Sequence, residues 1–190
     1  MTHPRLFLFF MVFVFLVAVV SRADDGSWLY VQPETGYHAP RIFTQSQTAG
    51  YSGFDFGGSI YYKIGDEDFA FAPVVSYTYG DYDSTANTSA RQEKLTEHAL
   101  TAGVKLYFGR LFLRAGYAWV RAEDRSTGTN AQSLSDSTHS LSGAVGVAIP
   151  LSKYVNLEVS ADVENGTFGA KPGGFTSDSQ LLRFGGTLGI

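Results

Sequence analysis

Alternation of apolar and polar residues with a period of two constrains the fold of this chain more than any other feature. After residue 23 the alternation recurs about eight times, which is typical of β-strands whose two faces differ. In residues 155–163, for example, Val155 and Val159 share one face, and Glu158 and Asp162 share the other. No later stretch approaches the ~18 consecutive apolar residues of a membrane-spanning helix. The alternation therefore predicts an all-β chain.

The first 23 residues form a different kind of segment. Arg5 supplies a positive charge, residues 6–20 are apolar without interruption, and Ser21 and Ala23 are small. This pattern is typical of a secretory signal peptide cleaved after Ala23. The alternative, an uncleaved anchor, is disfavoured because the apolar run is shorter than the roughly 17–25 residues of a spanning helix. We expect a signal peptide over residues 1–23 and one domain over residues 24–190.

Composition narrows the class of protein further. The sequence contains no cysteine, and its formal net charge of −4 includes no basic block. The lack of cysteine fits a barrel closed by hydrogen bonds rather than by disulfides. The charge pattern argues against nucleic acid as a partner.

The turns test the strand interpretation independently. Gly109 and Arg110 separate two alternating segments, and a two-residue loop with glycine first suits a type II′ hairpin turn. Such a turn predicts the cross-strand pairs Phe108–Leu111, Leu106–Leu113 and Lys105–Arg114. Each predicted pair joins residues of the same face, as the register of a hairpin requires.

Short and long connections are expected to alternate along the chain. Residues 65–68 and 150–153 are expected to close two further short hairpins, the first of which places Ile64 near Phe69. Longer polar connections are expected near residues 37–50, 83–95, 126–137 and 167–179. Short turns at one end and long loops at the other are typical of an outer-membrane barrel whose long loops lie outside the cell. The sequence therefore predicts an eight-stranded, antiparallel, up-and-down transmembrane β-barrel in the outer membrane of a Gram-negative cell.

A soluble barrel with an apolar core is the alternative to this membrane barrel. Two observations favour the membrane. The more polar face carries many small residues, which suit a narrow lumen better than a hydrophobic core: Gly103, Gly116, Ala118, Ala144, Gly146, Ala148, Gly185 and Gly189. The apolar face carries aromatic residues toward the strand ends, as expected of two interfacial girdles: Phe54, Tyr77, Tyr79, Tyr117 and Trp119 on the loop side, and Tyr62, Phe69, Phe71 and Phe108 on the turn side.

On these segments, including residues 113–118 (LRAGYA) and 143–147 (GAVGV), the chain resembles the small outer-membrane barrels of the OmpX/Ail (attachment-invasion) type within the broader OmpA-like barrel superfamily. The resemblance covers residues 24–190 and implies roles in adhesion, host contact or envelope integrity. It implies no peptidoglycan-binding domain after the barrel. Residues 182–190 alternate in the manner read by the barrel assembly machinery, although the segment ends in Ile190 rather than in an aromatic residue.

Charged residues on the polar face are the main candidates for a site. They are Asp55, Lys63, Lys105, Arg114, Glu158, Asp162 and Arg183. Charges in a narrow lumen must be paired, because an isolated buried charge costs several kcal/mol. We expect Glu158 to reach across to Lys105 and Arg114, and Arg183 to meet Asp162 or Asp55. Such a network either plugs the barrel or, in the alternative interpretation, lines a narrow channel.

Catalytic, metal and cofactor sites are not expected. Outer-membrane barrels of this size include lipid A-modifying enzymes, and a deacylase of that kind needs His and Ser on one strand face. Here His139 and Ser140 are adjacent, which places them on opposite faces, and His98 has no serine partner. The histidines have no spacing typical of metal ligands.

The remaining expected partners lie at the surface. Arg91, Lys94, Arg121 and Arg125 lie near the expected outer rim, where their charge suits lipopolysaccharide phosphates. Exposed loops on a rigid barrel are the usual place of recognition. Three hypotheses therefore stay open: adhesion through the loops to host surface ligands, conduction through the lumen, and modification of lipid A.

Overall fold

A computed structural model describes residues 28–43, 48–86, 92–127, 133–152, 155–169, 174–175 and 179–190. The predicted signal peptide, residues 1–23, lies outside the described residues. In the described part of the chain, no helix is long and apolar enough to cross a membrane.

Eight strands form one closed antiparallel barrel in the order β1 to β8, so the predicted fold is confirmed. The strands are β1 (Trp28–Phe43), β2 (Thr48–Gly65), β3 (Phe69–Ser84), β4 (Gln92–Phe108), β5 (Leu111–Thr127), β6 (Ser133–Pro150), β7 (Asn156–Phe168) and β8 (Gln180–Gly189). Each strand pairs with its neighbour in sequence, and β1 closes the barrel against β8. Closure leaves no sheet edge, which is the condition for a sheet to enter lipid.

The turn between β4 and β5 has the predicted register. Phe108 pairs with Leu111, Leu106 with Leu113, and Lys105 with Arg114. Gly109 has a φ of 59°, and no described non-glycine residue has a positive φ, so Arg110 does not. Only the first central residue of a type II′ turn has a positive φ, whereas both do in type I′. The type II′ prediction agrees with this backbone.

The turn between β2 and β3 differs from the prediction. Ile64 pairs with Phe71 rather than lying beside Phe69, and Gly65 pairs with Ala70. The chain reverses over residues 66–68, where Oδ1 of Asp66 accepts hydrogen bonds from the backbone N–H of Phe69 (2.8 Å) and of Asp68 (3.0 Å). These two hydrogen bonds, the one from Phe69 first, lower the pKa of Asp66. The third turn, after β6, follows the Pro150–Asn156 pair.

The long connections are shorter than predicted, because the strands continue into the polar segments. The predicted loop 37–50 was wrong: β1 runs to Phe43 and β2 starts at Thr48. The connections at this end, which we call the loop end, are residues 44–47, 85–91, 128–132 and 169–179. The opposite end, with turns at 66–68, 109–110 and 151–155, is the turn end. Ladder hydrogen bonds need only backbone groups, so polar side chains do not end a strand in water.

The two faces of the sheet are as predicted for a membrane barrel. Apolar side chains point outward, and Leu141 and Val145 are 68% and 54% exposed. The predicted aromatic residues Phe54, Tyr77, Tyr79, Tyr117, Trp119, Phe69, Phe71 and Phe108 are exposed on this outer face, and Tyr62 is half-buried there. Charged side chains such as those of Lys105 and Glu158 are buried inside. The barrel is therefore apolar outside and polar inside, which is the arrangement of a barrel solvated by lipid.

Apolar clusters lie inside the barrel toward both ends. The loop-end cluster contains Ile42, Tyr51, Tyr82, Leu95, Val120, Phe168, Phe175 and Leu181. Phe175 belongs to the connection 169–179, and its ring packs 4.5 Å from the ring of Phe168. The turn-end cluster contains Tyr61, Ala70, Ala72, Val74, Tyr107 and Phe112. Along β4, Glu97 lies between Leu95 and Ala99 of the loop-end cluster, and Lys105 lies next to Tyr107 of the turn-end cluster. Apolar side chains therefore flank the ionic part of the lumen toward both ends.

Candidate functional site

The pair Lys105 and Glu158 forms the turn-end part of the lumen. Nζ of Lys105 lies 2.8 Å from Oε2 of Glu158, and also donates a hydrogen bond of 2.9 Å to Oε1 of Gln32. Oε1 of Glu158 accepts hydrogen bonds from the hydroxyls of Tyr107 (2.7 Å) and Tyr61 (3.3 Å). The Lys105 ammonium also lies 4.3 Å from the centre of the Tyr61 ring. Both charges are therefore desolvated and satisfied, which is the condition for an ion pair to be tolerated inside a protein.

Arg114 lies next along the lumen. Its Nη2 donates to Oδ1 of Asp162 at 3.0 Å, and its Nη1 lies 3.7 Å from Oε2 of Glu34. Lys105 and Arg114, adjacent across the β4–β5 ladder, are thus directed to different acids, since Lys105 takes Glu158 and Arg114 takes Asp162. This arrangement separates two like charges that their register places side by side.

Arg183 organises the loop-end part of the lumen. Its Nη2 donates to Oε2 of Glu164 at 2.5 Å, and its Nη1 lies 3.6 Å from Glu97 and 3.9 Å from Asp55. The expected contact with Asp55 is thus present as the longest of the three. Glu164 also accepts a hydrogen bond from the hydroxyl of Ser140.

His38 connects the central and loop-end groups. Its Nδ1 lies 2.7 Å from Oδ2 of Asp55, and its Nε2 lies 3.7 Å from Oδ2 of Asp162. Lys63, by contrast, lies toward the turn end over the Tyr107 ring, 4.7 Å from the ring centre. Six of the seven candidate residues are brought into one linked set, and Lys63 lies beside it.

Four members of this set were missed as site residues in the sequence: Glu34, His38, Glu97 and Glu164. His38 falls in a segment expected to be a loop, and Glu164 lies just before another. Glu97 lies on the inward face of β4, where only Lys105 was a candidate in the sequence. The signal that finds them is the alternation itself, once each strand is extended into the polar segments at its loop end.

The residues considered for catalysis are on different faces. His139 is exposed on the outside, where its ring stacks on Tyr117, whereas Ser140 is buried in the lumen. His98 is also outside, with Nδ1 2.7 Å from the Tyr77 hydroxyl. Within the described ranges, no group of three or more His, Asp or Glu side chains is arranged to hold a metal ion.

The outer rim at the loop end carries charges of both signs. Lys94 lies 3.5 Å from Asp83 and 3.9 Å from Asp81, and Nε of Arg125 donates to Glu123 at 2.8 Å. Arg121 is exposed, and within the described residues it makes no ion pair. Arg91 lies outside the described residues.

Comparison with solved structures finds small outer-membrane barrels. Ail, the attachment invasion locus protein of Yersinia pestis, solved with the heparin analogue sucrose octasulfate, has a TM-score of 0.57 and 12% identity, over 84% of this chain and 96% of that chain. Neisserial surface protein A has a TM-score of 0.53 and 18% identity, over 87% of this chain and 98% of that chain. The chain has the fold of the small eight-stranded outer-membrane barrels.

A second structure of Ail has a TM-score of 0.56 and 12% identity, over 87% of this chain and 97% of that chain. No family model matches the sequence, and no curated protein sequence matches it.

In this barrel, as its outward apolar face requires, the lipid-facing band lies between the two groups of aromatic residues. Fold and band together assign the chain to the outer membrane.

Proposed function

We propose that this outer-membrane barrel is a closed structural protein that acts through its outer surface and does not conduct through its lumen. The observation that carries the proposal is the enclosed ionic lumen, in which Lys105 and Glu158 are 1% and 5% exposed. The apolar clusters toward both ends exclude water from the path that an ion would follow. Eight strands already leave a lumen narrow enough for side chains to fill.

Single-channel recording tests this proposal. The protein purified from outer membranes is inserted into a planar bilayer, and its folding is verified by heat-modifiable electrophoretic mobility. We expect no steady conductance. A steady, charge-selective conductance that changes in Arg114→Gln or Glu158→Gln would overturn the closed barrel and support a channel.

The second candidate function is contact with a surface partner, which is supported by strands that continue past the aromatic residues. Strands β2 and β5, with 18 and 17 residues, exceed the ~9–11 residues that cross a bilayer. The excess at the loop end forms a paired rim that carries exposed charges. Loops 83–95 and 126–137 remain the expected determinants of adhesion.

The rim charges indicate which partner to expect. Ail was solved with a heparin analogue. Here, however, Lys94 and Arg125 are each neutralised by an adjacent carboxylate. We therefore propose a partner of mixed charge rather than a sulfated polyanion. Cells that display the protein should bind host cells without competition by heparin, and substitution of residues 84–86 and 126–127 should abolish this binding. Competition by heparin would count against the proposal.

Lipopolysaccharide is the proposed partner of the cations that face outward near the aromatic residues. Arg121 is exposed and pairs with His98 across the β4–β5 ladder. It lies on the same outer face as Trp119. Guanidinium groups suit phosphate by charge and by geometry. We expect Arg121→Gln to increase sensitivity to polymyxin and detergent. Arg110→Gln, an equally exposed change at the turn end, is the control and should have no effect.

We further propose that residues 1–23 are removed during export, as their pattern predicts. N-terminal sequencing of the protein from outer membranes tests this, with Asp24 expected as the first residue.

A further inference from the structure

In the part of the chain that the structure describes, the lumen holds more buried carboxylates than cations. Within the described residues, the linked set contains six carboxylate side chains that are no more than 9% exposed: Glu34, Asp55, Glu97, Glu158, Asp162 and Glu164. The cations among them are the side chains of Lys105, Arg114 and Arg183, together with His38 if it is protonated. Among the described residues of this set, two carboxylates lack a cation of their own even with His38 charged. Because unbalanced charge in a dry interior is costly, the balance must come from bound protons or ions.

Glu97 is the buried carboxylate whose negative charge is least stabilised by hydrogen bonds and cations. Its side chain is 1% exposed, and neither of its oxygens has a hydrogen-bond partner. The closest cation is Nη1 of Arg183 at 3.6 Å, which is beyond hydrogen-bonding range. That guanidinium is already bound to Glu164 at 2.5 Å. A neutral carboxylic acid is therefore the form of Glu97 that costs least here.

His38 lies where a doubly protonated ring is favoured. Its two ring nitrogens face two different carboxylates, Asp55 at 2.7 Å and Asp162 at 3.7 Å. Nδ1 has no hydrogen-bond partner despite its closeness to Asp55, and Nε2 lies beyond hydrogen-bonding range of Asp162, so the two acids act on the ring by charge. A neutral imidazole has one N–H and would place its lone pair beside one of the acids, whereas an imidazolium is attracted to both.

We propose that the folded barrel carries bound protons in its lumen, with His38 as an imidazolium held between Asp55 and Asp162 and Glu97 as a neutral acid. Groups from every side surround them. The charged and titratable ones are Glu34 and His38 of β1, Asp55 of β2, Tyr82 of β3, Glu97 and Lys105 of β4, Arg114 of β5, Asp136 of β6, Asp162 and Glu164 of β7, and Arg183 of β8. The acids outnumber the cations on these elements, so release of either proton adds negative charge to an interior that is already acidic.

The consequence is that stability falls as the pH rises. In the unfolded chain, Glu releases its proton near pH ~4.3 and His near pH ~6.5. Above those values the folded state holds protons that the unfolded state has lost. Each such proton makes the unfolding equilibrium constant rise about tenfold per pH unit. The stabilisation by each bound proton is complete below the pKa of its group in the unfolded chain. It is lost as the pH rises through the pKa of that group in the folded barrel.

Urea unfolding of the detergent-extracted barrel at pH 7.0, 7.5 and 8.0 tests this dependence. Glu97→Gln keeps the shape of the protonated acid and needs no proton. We expect it to be at least as stable as the wild type at pH 8.0, and its free energy of unfolding to fall less steeply with pH than that of the wild type. If Glu97 is instead ionised and paired with Arg183, Glu97→Gln is less stable than the wild type at every pH, and the proposal fails.

Glu164→Gln is the matched control, because it removes an acid that is directly bound to Arg183. It should be less stable than the wild type at every pH, because it leaves Arg183 without the acid that it binds directly. NMR of ring nitrogens should show both nitrogens of His38 protonated at pH 7.5. A neutral His38, or a stability that depends on sodium or potassium concentration instead of pH, would overturn bound protons in favour of a bound cation.

Discussion

The ammonium of Lys105 and the carboxylate of Glu158 meet across the lumen at 2.8 Å although they lie 53 positions apart in the chain. Neither β4 nor β7 pairs with the other in the sheet, so the contact exists only because the barrel is closed. The pair is therefore a sensitive probe of closure.

Removing one partner of this pair should destabilise the barrel strongly. Lys105→Met leaves Glu158 buried without its cation, which costs about 3–5 kcal/mol. The double variant Lys105→Met/Glu158→Gln should recover much of this loss, since Gln still accepts from Tyr107. The measurement is urea unfolding followed by heat-modifiable mobility. Lys94→Met, which breaks the exposed pair with Asp83, is the control and should change stability by less than about 1 kcal/mol.

The Gly109 backbone gives a second prediction. Its φ of 59° is unfavourable for a residue with a Cβ, although nothing lies within 4 Å of a Cβ added there. Gly109→Ala should therefore cost about 1–2 kcal/mol in the free energy of unfolding. Gly169 has the same open surroundings without a positive φ in that range. If Gly169→Ala costs as much as Gly109→Ala, the backbone explanation is wrong.

Gly185 gives a prediction about packing in the lumen. A Cβ at this position would overlap the ring of His38 and the carbonyl oxygen of Tyr37. Gly185→Ala should thus displace His38 from the two aspartates and destabilise the barrel by about 1–3 kcal/mol. Gly143→Ala is the comparison, because the added methyl meets its neighbours at 3.7–3.8 Å, which is ordinary contact. Equal unfolding midpoints for the two variants would contradict this account.

The outward face of β6 gives a prediction about the membrane band. Val145 is exposed in the apolar band, and an arginine there must leave lipid or distort it. Val145→Arg should cost about 2–4 kcal/mol in bilayers. Ser135→Arg, on the same face of the same strand but at the rim, should cost close to nothing. Equal costs at both positions would show that the band does not extend over Val145.

The sequence predicts the faces and the hairpins of this barrel because both depend on local properties. Alternation assigns Val145 outward and Glu158 inward before any partner is known, and the glycine at position 109 determines the β4–β5 register. Strand ends were less predictable, since polar residues such as those of β1 near His38 continue the ladder. Pro33 and Pro40 lack a backbone N–H and are typical of strand boundaries, yet β1 runs through both.

Contacts across the lumen were predictable only in part. Which inward side chains meet depends on the tilt and stagger of the closed sheet, and neither is encoded in the local pattern. Glu158 was expected to serve both Lys105 and Arg114, but it contacts Lys105, while Arg114 binds Asp162. The stagger also brings Arg183 to Glu164 and Glu97, residues that a strand-by-strand reading leaves unconnected.

The paired rim at the loop end has a consequence for how the exterior of this protein can vary. Ladder hydrogen bonds hold the backbone of the rim, so every second side chain points outward from a rigid position. A ligand or antibody that binds there loses little conformational entropy in ordering these side chains. The identities of those side chains can change freely. Insertion of a single residue, however, would exchange interior and exterior positions beyond it, so length changes are confined to the four connections.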